Sequence, residues 1–343
     1  MHPLHRGALD AAHPPQNVFM DRFANEPKVQ RVWDIPHATW FTLMGVGGGL
    51  FLLARLLGRT HELGTVLGVP LVDLVSFAAI AVGGVILIAD LGHPLRAWRA
   101  VRNVRTSWIS WGAIADFVFL GAGGLLVLAD LEFGDSHPFA WLPWDAAADT
   151  AAGRVLEVIA MAAAVVVMFY AGAVLAQPRA IPYWHSVAVP IQFLLSSAAT
   201  SLGVMMLLAS VEGATIEDRE LLLTAAFLAL LLASIAWHLA TKRDAPGKRD
   251  SLERVVRGRY RLAFLGGVVA FGTVLPLGLA LVALAFDGTP RDVAGIAILV
   301  LTATGGFGLR LVTLRVGIFP PVRARTPDPR WASPGPVRAP DPA

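Results

Sequence analysis

Residues 66–89 read VLGVPLVDLVSFAAIAVGGVILIA, an apolar run whose one charge is Asp73; Asp90 follows, and Arg96, Arg99, Arg102 and Arg105 come before the next apolar run begins at Trp108. A helix rises 1.5 Å per residue, so about 20 apolar residues cross the roughly 30 Å of membrane hydrocarbon. A run of that length, closed by an acid and followed by arginines, reads as a membrane span. Outward from it the same pattern recurs at about 37–57, 108–129, 153–176, 186–210, 220–240, 260–286 and 293–316. The fold class expected is an all-α membrane protein, an eight-transmembrane-helix bundle over 37–317. A polar extension (1–36) precedes it, with a turn expected around Val32-Trp33-Asp34-Ile35, and a Pro-rich tail (318–343) follows that cannot pack a core.

Composition agrees. Of 343 residues 55% are hydrophobic and 15% charged, against about 25% charged in soluble domains. The absence of cysteine excludes a thiolate metal site, a disulfide or a thiol nucleophile in this chain, so iron–sulfur chemistry has to belong to another chain. The net charge of +3 is explained by topology and anionic lipid, and no nucleic-acid partner is expected. The first 32 residues carry no apolar h-region, so no cleavable signal peptide is expected.

The loops set the orientation. Residues 90–107 carry four arginines against Asp90, 241–261 carry eight Lys and Arg against three acids, and the tail adds Arg323, Arg325 and Arg330. The loop 130–151 holds Asp130, Glu132, Asp135, Asp145 and Asp149 with no Lys or Arg up to Ala151. Basic loops stay in the cytoplasm, so both termini are expected there, in a cell inner membrane. Arg55 and Arg59 fall on the opposite side and dissent; Arg55 is expected to snorkel from its helix end.

With directions fixed, polar side chains gather at one face. His37 and Trp40 begin the first span, Asp90 ends the second with His93 and Arg96 beyond it, and Trp108, Ser110 and Trp111 open the third. Tyr170 and Gln177 close the fourth, Tyr183, Trp184 and His185 precede the fifth, His238 ends the sixth, and Arg310 lies in the inner part of the eighth. Taken singly, Trp and Tyr are interfacial belt residues and a lone His is a cap or lipid contact; together they make a candidate site. Asp73, Asp116 and Glu157 are intramembrane acids, candidates for a proton path or for structural ion pairs. Gln192, Ser196, Ser197, Thr200 and Ser201 form a polar strip, read either as helix–helix glue or as a path for protons.

The stretch Asp90-Leu91-Gly92-His93-Pro94-Leu95-Arg96 through Ser107-Trp108-Ile109-Ser110-Trp111-Gly112 resembles the NrfD-like family, the membrane subunits of polysulfide reductases. So do Tyr170-Ala171-Gly172-Ala173-Val174-Leu175-Ala176 with Ile181-Pro182-Tyr183-Trp184, and Phe193-Leu194-Leu195-Ser196-Ser197-Ala198. The likeness runs in order over roughly 33–317. It implies a quinone-reactive subunit without haem that takes menaquinone or ubiquinone as bound substrate. Its implied partners are a four-cluster ferredoxin-like iron–sulfur subunit and a molybdopterin-type catalytic subunit. It also implies that a His of the first span and a Tyr of the fourth contact the quinone ring, here His37 and Tyr170. Relatives can carry their catalytic module outside the cytoplasm, whereas the charges here place the polar cluster, and so the partner, inside.

The chemistry asks for donors at both edges of a flat ring, which a His and a Tyr hydroxyl supply. Arg310 is expected to hold charge, Trp108 or Trp111 to wall the ring, Asp90 or Asp116 to pass protons, and the Arg96 loop to receive the electron-transfer partner. The competing readings are an ion or proton transporter using Asp73, Asp116 and Glu157, a b-type cytochrome anchor using His37 and His238, and a purely structural anchor.

Overall fold

A computed structural model of the chain describes residues 27–90, 101–144, 149–241 and 247–320. Among the described residues, eight helices are long and apolar enough to cross a membrane. They are α1 (Ile35–Leu56), α2 (Leu71–Asp90), α3 (Trp108–Leu128), α4 (Ala151–Ala176), α5 (Ala188–Glu212) and α6 (Asp218–Ala240). After the short α7 (Lys248–Val256) come α8, continuous over Leu262–Ala283, and α9 (Thr289–Arg315). The chain is an all-α membrane protein, an eight-span bundle.

Helices in lipid gain little from burying apolar surface against one another, so close packing by small residues has to hold them. The glycine run of α1 does this on three sides. A Cβ at Gly47 would lie 2.8 Å from the Ser76 carbonyl of α2, and one at Gly48 would lie 2.9 Å from the Ala164 carbonyl of α4. Gly49 lies against Ser201 of α5, whose hydroxyl donates to Val46 O of α1 at 2.9 Å. α1 and α5 are consequently central, each touching α4 and α9 as well as one another.

Three elements depart from the sequence expectation. The second span starts at Leu71 rather than 66, because Thr65–Val66 (β2) and Val69–Pro70 (β3) pair as a tight hairpin. Its two central residues, Leu67 (φ 52°) and Gly68 (φ 79°), both have positive φ, as such turns require. Within the loop expected at 241–261, α7 forms, and its Ser251 hydroxyl donates to Val316 O at 2.7 Å beside the end of α9. The first part of α8, Leu262–Val274, is a π-helix with the wider i→i+5 ladder, ending just before Pro276. Pro276 has no N–H to give the Gly272 carbonyl four residues back, and a widened ladder is one way a membrane helix re-satisfies such groups. At the same place Gly272 meets Gly305 of α9 backbone to backbone.

The two ends of the membrane domain are tied together. Lys28–Val29 (β1) pairs antiparallel with Ile318–Phe319 (β4), and the Gln30 amide donates to Leu314 O and Trp33 O at 2.7 Å each. Asp34 accepts from Arg315 Nε at 2.6 Å.

At the other end of the bundle, Arg55 corrects the expectation of snorkelling. Its side chain is 3% exposed and donates to both oxygens of Asp73 at 2.6 and 2.9 Å, with Glu157 at 3.4 Å. Its guanidinium carbon lies 3.5 Å from the centre of the Phe51 ring. Arg59 is held by Glu62, Glu217 and Glu220 at 2.8, 3.0 and 3.2 Å. Both dissenting arginines are thus neutralised within the bundle, which removes their weight from the charge bias that orients the loops.

Candidate functional site

The site is built on the first turns of α1. Pro36 opens the helix, as proline's fixed φ and missing N–H suit that position, and the next residue is His37. Its Nε2 lies 3.2 Å from Asp90 Oδ2 at the end of α2, joining the two helix ends. Trp33 stacks on the imidazole, with ring centres 4.8 Å apart and planes 26° apart. The second ring nitrogen, Nδ1, is buried without a hydrogen-bond partner.

One turn further in, Trp40 packs edge-on against Phe41 at 4.1 Å and stacks on Tyr170 of α4 at 6.1 Å and 25°. Tyr170 is 1% exposed. Its hydroxyl meets Met44 Sδ at 2.9 Å and Asp116 Oδ2 at 3.4 Å. A Cβ at Gly112 would overlap the Tyr170 ring, so the glycine of α3 makes room for the phenol. The second oxygen of Asp116 is buried and unpartnered, as is the indole nitrogen of Trp40. His37, Trp40, Tyr170 and Asp116 thus form a line of contacts that descends about 10 Å along α1, from its first turn to Met44.

Trp40 stands between His37 and Tyr170, and the Tyr170 hydroxyl is turned to Asp116 and Met44. His37 and Tyr170 therefore belong to one cluster without touching. Arg310 belongs to another. It is 1% exposed and donates to Ser196 Oγ (3.0 Å), Ser197 Oγ (2.6 Å), Phe193 O (3.0 Å) and Gly306 O (2.9 Å), with its Nε unpartnered. It also lies over the Phe193 ring at 4.9 Å. Gly45 of α1 faces Ser197 and Arg310 while its neighbour Met44 faces Tyr170, so the two groups meet different faces of α1 and are joined through apolar rings, Phe41 lying 5.8 Å from Phe193. Both groups sit at one end of the bundle. Trp33 of the His37 cluster is 5.9 Å from Trp184, whose Nε1 donates to Thr313 O in the last turn of α9.

The remaining expected residues divide clearly. Asp90 is in the cluster through His37. Arg96 lies outside the described residues, as does His93. Trp108 packs edge-on against Phe169 at 5.8 Å, and Trp111 is half exposed; neither lies on the Tyr170 ring. Of the three acids assigned to a proton path, Asp73 and Glu157 both engage Arg55 and only Asp116 reaches the cluster. Glu157 precedes Tyr170 by thirteen residues on α4, about 20 Å along the axis. His238 is buried in a separate group, with Nε2 3.1 Å from Tyr183 O and its ring 4.7 Å from the Tyr183 ring; burial pushes the Tyr183 phenol pKa up. At the rim, the Arg315 hydrogen bond holds the Asp34 carboxyl below the usual range.

Sequence reading noted Trp40 and quoted Gly112 within the family-like stretch without giving either a place in the site, and missed Met44. A tryptophan three residues after a histidine at a helix start is the only signal the first offers, Gly112 has only its place in that stretch, and Met44 looks like an ordinary lipid-helix residue.

Eight spans enclosing a buried line of imidazole, indole, phenol and carboxyl define the class, a multi-pass membrane protein with a polar aromatic site at one end of its bundle. The sequence profile of the polysulphide reductase NrfD family matches residues 24–321, nearly the whole chain, and the protein belongs to that family. No curated protein matches it.

Proposed function

We propose that the chain is the quinone-reactive membrane anchor of a multi-subunit oxidoreductase. In this role it passes electrons between the membrane quinone pool and a four-cluster ferredoxin-like iron–sulfur subunit attached to a molybdopterin-type catalytic subunit. The family is one of membrane subunits of molybdoenzyme complexes, which supports the setting. The observation that carries the quinone reading is the set of buried polar atoms left without partners along one line of aromatic rings: His37 Nδ1, Trp40 Nε1 and Asp116 Oδ1. Burying such groups unpaired costs about 1–3 kcal/mol each, so a flat ligand with hydrogen-bonding edges fits them.

A bound quinol supplies two electrons and two protons. His37, oriented by Asp90, holds or takes a proton at the rim, and its free Nδ1 is the atom available to a ligand oxygen. Tyr170 and Asp116 form the deeper proton-bearing pair, closed off by Met44 and by the ring of Trp40. Arg310, on a neighbouring face of α1, adds positive charge at the same end of the bundle without a hydrogen bond to the cluster. The β1–β4 end, on the cytoplasmic side by the charge bias, is the face proposed for the iron–sulfur partner, with the arginines that follow Asp90 in sequence as its expected contacts.

The test is purification of the chain with its partners and measurement of quinol-dependent electron transfer. An iron–sulfur protein should co-purify, and His37→Ala and Tyr170→Phe should each lower the rate while the complex stays assembled. Unchanged rates in both variants would remove the assigned site.

A further inference from the structure

Buried indole N–H groups in folded proteins normally find an acceptor. Trp40 is 3% exposed and its Nε1 has none, although the ring is tightly held between Phe41 at 4.1 Å and Tyr170 at 6.1 Å. The neighbouring polar groups do not fill the need. His37 spends Nε2 on Asp90, and the Tyr170 hydroxyl is spent on Asp116 and Met44. Several of the other unpartnered atoms belong to groups already engaged, whereas Ser234 Oγ and Arg254 Nη1 lie outside this site. Those of Arg55, Arg59 and Glu220 lie inside ion pairs at the opposite end, and Arg310 already makes four hydrogen bonds. Among the described residues, three unpartnered atoms follow one another along contacting side chains around Trp40, the donor with a ring nitrogen above it and, through Tyr170, a carboxyl oxygen below.

We propose that Trp40 is a ligand-binding residue of this site, whose indole N–H donates a hydrogen bond to a carbonyl oxygen of the quinone headgroup. Its position between His37 and Tyr170 makes it the donor through which a ring entering at the His37 rim is held above the Tyr170–Asp116 pair. The inference rests on the quinone reading and adds a specific donor to it.

The experiment uses the full complex, labelled with ¹⁵N-tryptophan, and a short-chain menaquinone analogue as probe. Trp40→Phe retains an aromatic ring and deletes the donor along with part of the ring system, and the resonance missing from that variant identifies the Trp40 indole N–H. In the unsubstituted complex that resonance should shift on adding the analogue, and Trp40→Phe should bind the analogue roughly 3- to 10-fold more weakly, the loss expected for one neutral hydrogen bond. Replacing Trp40 by a benzothienylalanine, which keeps the bicyclic shape without the N–H, should reproduce the weakening and so separates the donor from packing. If the analogue binds with dependence on His37 and Tyr170 while the Trp40 resonance stays still and both Trp40 variants bind normally, this inference is overturned and the quinone reading stands. If the analogue does not bind at all, the quinone reading fails and takes the inference with it.

Discussion

Tyr170 shows how much of the site's chemistry is decided by a single placement. Its hydroxyl is buried between a thioether and a carboxyl, so Tyr170→Phe removes the one hydrogen bond Asp116 has while keeping the ring in its seat on Gly112. Quinol-dependent turnover of the variant should fall by about 10²-fold, the lower range for losing a positioned proton-transfer group, with the thermal midpoint little changed; a variant that lost stability and turnover together would mark Tyr170 as structural. At the rim, Asp34 offers a pH test. Its carboxyl is held below the usual range chiefly by the hydrogen bond from Arg315. A lowered folded-state value means the pair's stabilisation is complete above the unfolded value of about 4 and disappears as pH falls through the lowered one. Melting curves of the detergent-purified protein should therefore show an advantage over Asp34→Asn at neutral pH that vanishes in strong acid, and a pH-independent gap would contradict the assignment. What sequence reading could see here was residue type and depth. It placed His37, Tyr170 and Arg310 at one end but not the face of α1 that each meets, because Met44 and Gly45 are adjacent in sequence and point to different neighbours.

The elements were legible where hydrophobicity alone defines them. All eight spans follow from length and apolar content, and most of their ends fall within two or three residues of those expected. Where local backbone chemistry takes over, the reading failed: the apolar residues of β2–β3 look like helix until Leu67 and Gly68 turn the chain, and nothing apolar marks α7. Ion pairs between elements were also hidden, since Arg55 and Asp73 are eighteen positions apart and either alone reads as an anomaly. Breaking a buried pair by removing one partner costs about 3–5 kcal/mol, and replacing both by apolar residues restores much of it. Arg55→Met should thus lower the thermal midpoint sharply and Arg55→Met with Asp73→Leu should recover part of the loss; equal melting of all three forms would show that the pair contributes nothing. At the α8–α9 crossing, Gly305→Leu places a side chain against the Gly272 backbone and should destabilise by about 1–3 kcal/mol through overpacking, read as a lower melting temperature. An unchanged melting temperature would mean that this backbone contact does not form.

The whole molecule is polar at both ends of its bundle, but the two ends differ in kind. One end carries arginines closed off by carboxylates, Arg55 with Asp73 and Glu157 and Arg59 with three glutamates, a charge-paired network suited to holding helices in register. The other carries polar atoms without partners among aromatic rings, together with the paired strands β1 and β4 that bring both ends of the membrane domain to one face. That asymmetry is the physical ground for assigning ligand binding to the second end. The lipid-facing side of α8 offers a contrasting surface, an apolar groove lined by Val269, Ala270, Val274, Leu275, Gly278, Leu279 and Val282, which provides no polar side chain to recognise a headgroup. The most direct measurement is photoaffinity labelling of the intact complex with an azidoquinone, followed by mass-spectrometric mapping of the labelled peptides. The account predicts label on the start of α1 around His37 and Trp40 and on the Tyr170 region of α4, suppressed by excess unlabelled quinone. Label confined to the α8 groove, or label insensitive to competition, would contradict it.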